Sequence, residues 1–145
     1  MGKIIAVCKS EKTGTRKVDV REGYLQQDYG LAGDAHAGSG RQVSLMSIES
    51  INRMKSQGYT LGPGDFAENL TTEGIDLLSL PVSTELTVGK EVILKITQIG
   101  KECHSGCAIF RQIGKCIMPK EGVFARVVRG GTVKAGDEIG IKKDG

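Results

Sequence analysis

Residues 86–95 read Leu-Thr-Val-Gly-Lys-Glu-Val-Ile-Leu-Lys, and residues 132–142 read Thr-Val-Lys-Ala-Gly-Asp-Glu-Ile-Gly-Ile-Lys. Both place a glycine, then two charged residues, then a short run in which apolar side chains recur at strand spacing. Glycine supplies the backbone that a tight turn demands, and period-two apolar spacing marks a half-buried strand. The recurrence therefore predicts a barrel-like or sandwich β fold made of short strands. Outward from this pair the same reading continues. Val123 to Val128 and Val18 to Arg21 alternate, Lys3 to Cys8 and Arg41 to Leu45 read as strands, and the stretch from Phe66 ends in strand-like residues at Thr72. With 21 glycines and only 3 prolines in 145 residues, tight turns between short strands suit the composition better than long helices.

One helix stands out, from Ser47 to Gln57. Ser47 is placed to cap it, and Ile48, Ile51 and Met54 recur at helical spacing. Met46 and Ile51 occupy the positions of a hydrophobic staple, and Gly58 sits where a glycine ends a helix. A second helix, over Cys107 to Gly114, is short at best. The 39% hydrophobic and 26% charged content is that of a globular chain, and its length suits a single domain over 1–145. The architecture expected is mostly β with one or two short helices, an α+β arrangement.

Composition also narrows the function. A formal charge of +3 admits an anionic ligand but is too weak to argue for nucleic acid, and 4% aromatics with no tryptophan argue against a base-stacking platform. The apolar run Ile4 to Cys8 is too short for a secretion signal or a membrane span. Neither nucleic acid nor membrane is expected as a partner, and the expected location is cytoplasmic. There Cys8, Cys103, Cys107 and Cys116 are reduced thiols rather than a disulfide framework.

Three stretches carry chemistry. In Gly100-Lys-Glu-Cys-His-Ser-Gly-Cys107, directly after a strand, Cys103 has cationic neighbours in Lys101 and His104, which favour the nucleophilic, metal-binding thiolate. Cys103, His104, Cys107 and Cys116 offer an alternative, a structural zinc site, although paired Cys-x2-Cys knuckles are missing. Cys8, inside an apolar strand, reads as core. The second stretch is Gly30 to Gly40, with Asp34 and His36, followed by Arg41. It is neither a Walker loop nor a dinucleotide fingerprint, yet glycine loops expose N–H groups to anions. The third is Gly64-Asp-Phe-Ala-Glu-Asn69. Glu68 and Asn69 there orient a polar ligand, or else form a capped turn with solvated side chains.

Taken in order, Gly33-Asp-Ala-His36, Arg41-Gln-Val-Ser-Leu45, Gly64 to Asn69, the lone reactive-looking Cys103 and Gly131 to Asp137 resemble the MOSC domain, the family named for the C-terminal domain of molybdenum cofactor sulfurases. The resemblance covers nearly the whole chain. It implies a barrel-like, mostly β fold and a link to the molybdenum cofactor (molybdopterin) or to sulfur handling. On this reading Cys103 is the family cysteine, either a molybdenum ligand or a persulfide carrier. Asp34, His36, Arg41, Glu68 and Asn69 hold the cofactor. The implied partners are the cofactor and its biosynthetic or acceptor enzymes, with cofactor-dependent reduction or sulfur transfer as the chemistry. A non-catalytic carrier for a molybdoenzyme is the alternative, beside structural zinc. Glu102 stands where many relatives have proline, and Cys107 and Cys116 are additions to the family pattern.

Overall fold

The alternating runs form strands. A computed structural model of the chain describes residues 2–10, 17–35, 37–38, 42–56, 58, 62–64, 68–99 and 122–142. The strands are β1 (Gly2–Lys9), β2 (Val18–Asp19), β3 (Glu22–Gln26), β4 (Gly30–Leu31), β5 (Val43–Ser47), β6 (Leu70–Glu73), β7 (Glu85–Val88), β8 (Val92–Ile99), β9 (Val123–Arg129), β10 (Gly131–Lys134) and β11 (Glu138–Ile141). Seven of them run in the order β11-β7-β8-β9-β5-β6-β1, and pairing of β1 with β11 closes the ring into a barrel. Closure pairs both edges of each strand, which removes the exposed edges of an open sheet.

The interior is filled from alternate positions: Val43 and Leu45 of β5, Leu70 of β6, Leu94 and Ile96 of β8, Val123, Ala125 and Val127 of β9. β1 needs a correction to that period. Ile4 and Val7 both belong to the core although they lie three residues apart, which simple alternation forbids. A bulge between Ile4 and Ala6 inserts the extra residue and resets the phase. β10, β3 and β4 form a small second sheet whose Val133, Leu25 and Leu31 join the same core.

All the barrel pairings are antiparallel except one. β5 and β6 run parallel, and parallel neighbours require a crossover. The helix α1 (Ile48–Lys55) supplies it. Ser47 caps it, its hydroxyl accepting from the Ser50 N–H at 3.1 Å. Met46 and Ile51 are both fully buried, as a staple requires. The helix stops two residues short of the expected Gln57, and Gly58, at φ +99°, donates back to the Lys55 carbonyl. No helix among the described residues is long and apolar enough to cross a membrane. The short helix expected over Cys107 to Gly114 lies outside the described residues.

Candidate functional site

Three adjacent strands, β9, β5 and β6, each follow one of the three stretches singled out in the sequence. Their register brings those entry points together. Val123 pairs with Leu45, Leu45 with Leu70, and Leu70 with Val7, so the four form one row across the barrel wall. Strands lie about 4.8 Å apart, so Val123 and Leu70, two strands away from each other, are about 10 Å apart. Ile99, where the chain leaves β8, pairs with Val123, where it returns. The stretch bearing Cys103 is thus tethered at both ends beside the row that Asn69 leads into. Cys103 itself, with His104, Cys107, Cys116, His36 and Arg41, lies outside the described residues.

Asn69 occupies the centre of the next row. It is fully buried. Its Nδ2 donates to the Cys8 carbonyl at 3.1 Å, and its Oδ1 accepts from the Ser44 N–H at 3.0 Å. Its own carbonyl accepts from the Cys8 N–H at 2.7 Å, and its N–H donates to Ser44 Oγ at 3.0 Å. One amide side chain therefore ties β1, β5 and the entry to β6. Glu68, also fully buried, accepts from Thr71 Oγ1 at 2.8 Å. Thr71 pairs with Ala6 and Met46 on the face of the barrel wall opposite the core residues. That face is buried too, by Ile51 and Met54 of α1 among others. The reading of Glu68 and Asn69 as a solvated, capped turn is excluded: both side chains are withdrawn from water, where polar groups are kept only if bonded.

Asp34 is anchored on the same stretch of β1. Its Oδ1 accepts from the Ser10 N–H at 3.0 Å and from Lys17 Nζ at 2.7 Å, and both side chains of the ion pair are completely buried. Lys17 Nζ also donates to Ser10 Oγ at 3.1 Å, and the Ala35 N–H to the Ser10 carbonyl at 2.8 Å. The Lys17 backbone N–H reaches the Gly64 carbonyl at 2.7 Å. Gly64 has φ +87°, and a Cβ there would strike the Lys17 carbonyl and lie 3.3 Å from Cys8 Sγ. Only glycine allows this approach. Cys8 is buried as expected, covered by this turn.

The structure brings Asp34, Glu68 and Asn69 to one end of β1, with Asp34 and Asn69 both fastened to Cys8–Ser10. Sequence reasoning missed Lys17. In the run Lys9, Lys12, Arg16, Lys17 nothing separates the buried cation from solvated ones, and its partner is 17 residues away. Ser10 and Ser44 carried no signal either. Two surface clefts among the described residues lie elsewhere: one of about 420 Å³ beside α1, bordered by Ser50, Arg53 and Leu78, and one of about 330 Å³ between Glu22, Lys90 and Lys134. No group of three metal-ligating side chains occurs among the described residues.

Solved structures share this fold. YuaD from Bacillus subtilis superposes with a TM-score of 0.79 at 19% identity, covering 96% of this chain and 94% of its own. YiiM from Geobacillus stearothermophilus gives 0.73 at 17% identity, covering 99% and 76%, and YiiM from Escherichia coli gives 0.67 at 18%, covering 98% and 70%. No curated protein matches significantly. The family model of the MOSC domain matches residues 32–140, a span holding Asp34, His36, Arg41, Glu68, Asn69 and Cys103. With the barrel, the crossover and this match in agreement, the chain belongs to the MOSC domain family.

Proposed function

We propose that this protein handles the molybdenum cofactor, binding it or carrying sulfur for it on Cys103. The family is linked to molybdenum cofactor sulfurases. The observation that carries the reading is the common anchorage of Asp34 and Asn69 on Cys8–Ser10, beside the row where the Cys103 stretch re-enters the barrel. When bound, the cofactor supplies a redox-active metal and a phosphate by which it can be held. The donors suit such a group. Cys103 offers a soft thiolate to the metal or to sulfane sulfur. Arg41 and loop N–H groups suit the phosphate. Lys17, 2.7 Å from Asp34, matches the carboxylate charge that would otherwise repel an anion from this loop.

Each residue then has a task. Asp34 and Asn69 act through the loops they hold, His36 donates to the pterin or to the Cys103 thiolate, and the Glu68 carboxylate accepts from pterin N–H groups. As a carrier, the Cys103 thiolate attacks the outer sulfur of a donor persulfide; the donor leaves as a thiolate and the sulfur stays as a Cys103 persulfide. The cytoplasm, where thiols stay reduced, is the compartment that suits a Cys103 thiolate.

The test is anaerobic purification of the full chain from cells that make the cofactor, with metal and sulfane-sulfur analysis of wild type and Cys103→Ser. The expected result is molybdenum or sulfane sulfur in the wild type and its loss in the variant. Equal content in both, or one zinc per chain in place of either, contradicts the reading. Where the wild type is loaded, turnover of N-hydroxylated substrates separates a reductase from a carrier.

A further inference from the structure

The buried ion pair of Lys17 and Asp34 has a geometry that a merely stabilising contact does not need. An ammonium is strongly hydrated, and burying it against a carboxylate regains in attraction little more than desolvation takes away. Such pairs are better at fixing one arrangement than at adding stability. Here the arrangement fixed is that of three segments. Through Nζ, Lys17 holds Asp34 at 2.7 Å and Ser10 Oγ at 3.1 Å. Through its backbone N–H it holds the Gly64 carbonyl at 2.7 Å, in the turn that leads to Glu68 and Asn69. The side chain fixes the glycine-rich loop that continues to His36 and Arg41; the main chain fixes the approach to Glu68. Both meet the end of β1, where Ser10 receives the Ala35 N–H at 2.8 Å.

We propose that Lys17 is a positioning residue of the cofactor site, a latch that sets Asp34 and Ala35 of the glycine-rich loop and the turn at Gly64 in the relative placement that receives the ligand. The proposal rests on the cofactor reading above and assigns Lys17 no contact with the cofactor. A buried ion pair with one partner removed strands a charge, so Lys17→Met alone risks unfolding; K17M/D34N keeps the shape and strands none.

The experiment uses the full chain and, as probe, molybdenum cofactor released anaerobically from a molybdoenzyme. Dissociation constants are compared for wild type, Lys17→Met, Lys17→Arg and K17M/D34N, with amide hydrogen exchange at Ser10, Lys17 and Ala35 followed on the same samples. Cofactor affinity is expected to fall at least tenfold in K17M/D34N even where its melting temperature equals that of the wild type, and Lys17→Arg is expected to recover part of the loss. A stably folded K17M/D34N that binds as tightly as wild type overturns the latch. If the wild type itself binds no cofactor, the functional reading fails and the exchange data judge the latch alone: at least tenfold faster exchange at the three amides in folded K17M/D34N supports it, and native rates overturn it.

Discussion

Lys17 and Asn69 do different work at the same place. Lys17 and Asp34 set opposite charges 2.7 Å apart with neither side chain exposed, so removing one of them leaves an uncompensated buried charge. Asp34→Ala is expected to lower the free energy of unfolding by about 3–5 kcal/mol, measured by urea denaturation. Asn69 carries no charge, yet its amide serves two strands at once. Asn69→Ala removes the side-chain hydrogen bonds to the Cys8 carbonyl and the Ser44 N–H, at about 1–3 kcal/mol for each. A loss under about 0.5 kcal/mol in the same denaturation experiment would show that water replaces the amide and that Asn69 does not organise this row. Asp34, Glu68 and Asn69 were legible as residues that matter, because a carboxylate or amide beside glycines invites a polar reading. The partners of Asp34 and Asn69 were not legible, because hydrogen bonds across 17 to 61 residues leave no local trace in sequence.

At the scale of elements, α1 and the Gly64 turn frame the buried outer face of β1, β6 and β5. Ser47→Ala removes a cap that holds the Ser50 N–H and is expected to cost about 1 kcal/mol while leaving cofactor binding unchanged within error. Gly64→Ala is expected to do more. It puts a side chain at φ +87° and against the Lys17 carbonyl, so the turn must shift. A lowered melting temperature together with weaker cofactor binding is the expected outcome; a variant with native values in both would show that the turn accommodates a methyl group and does not set the site. The helix was readable because cap, staple and terminal glycine fell at consistent spacings. β3 and β4 were not: Glu22–Gln26 buries only Leu25 fully, and Gly30–Leu31 is a two-residue strand inside a glycine-rich stretch. The bulge in β1 was invisible for the same reason, since it is defined by the phase of the partner strand rather than by any residue of its own.

For the whole molecule, alternation and glycine turns announced a barrel-like or sandwich β fold, but closure depends on Gly2 pairing with Ile139, a contact between the two ends of the described chain that no local pattern encodes. The strand order gives the site its meaning. It places β9, β5 and β6 side by side, so that stretches far apart in sequence enter neighbouring strands within about 10 Å of one another. The central claim is that Cys103 and the buried Glu68 serve one site. A double-mutant cycle in cofactor affinity over wild type, Cys103→Ser, Glu68→Gln and the double variant tests it most directly. The account predicts a coupling above about 0.5 kcal/mol, as for groups that share a ligand; effects that add to within that margin, or a wild type that binds no cofactor, would contradict it.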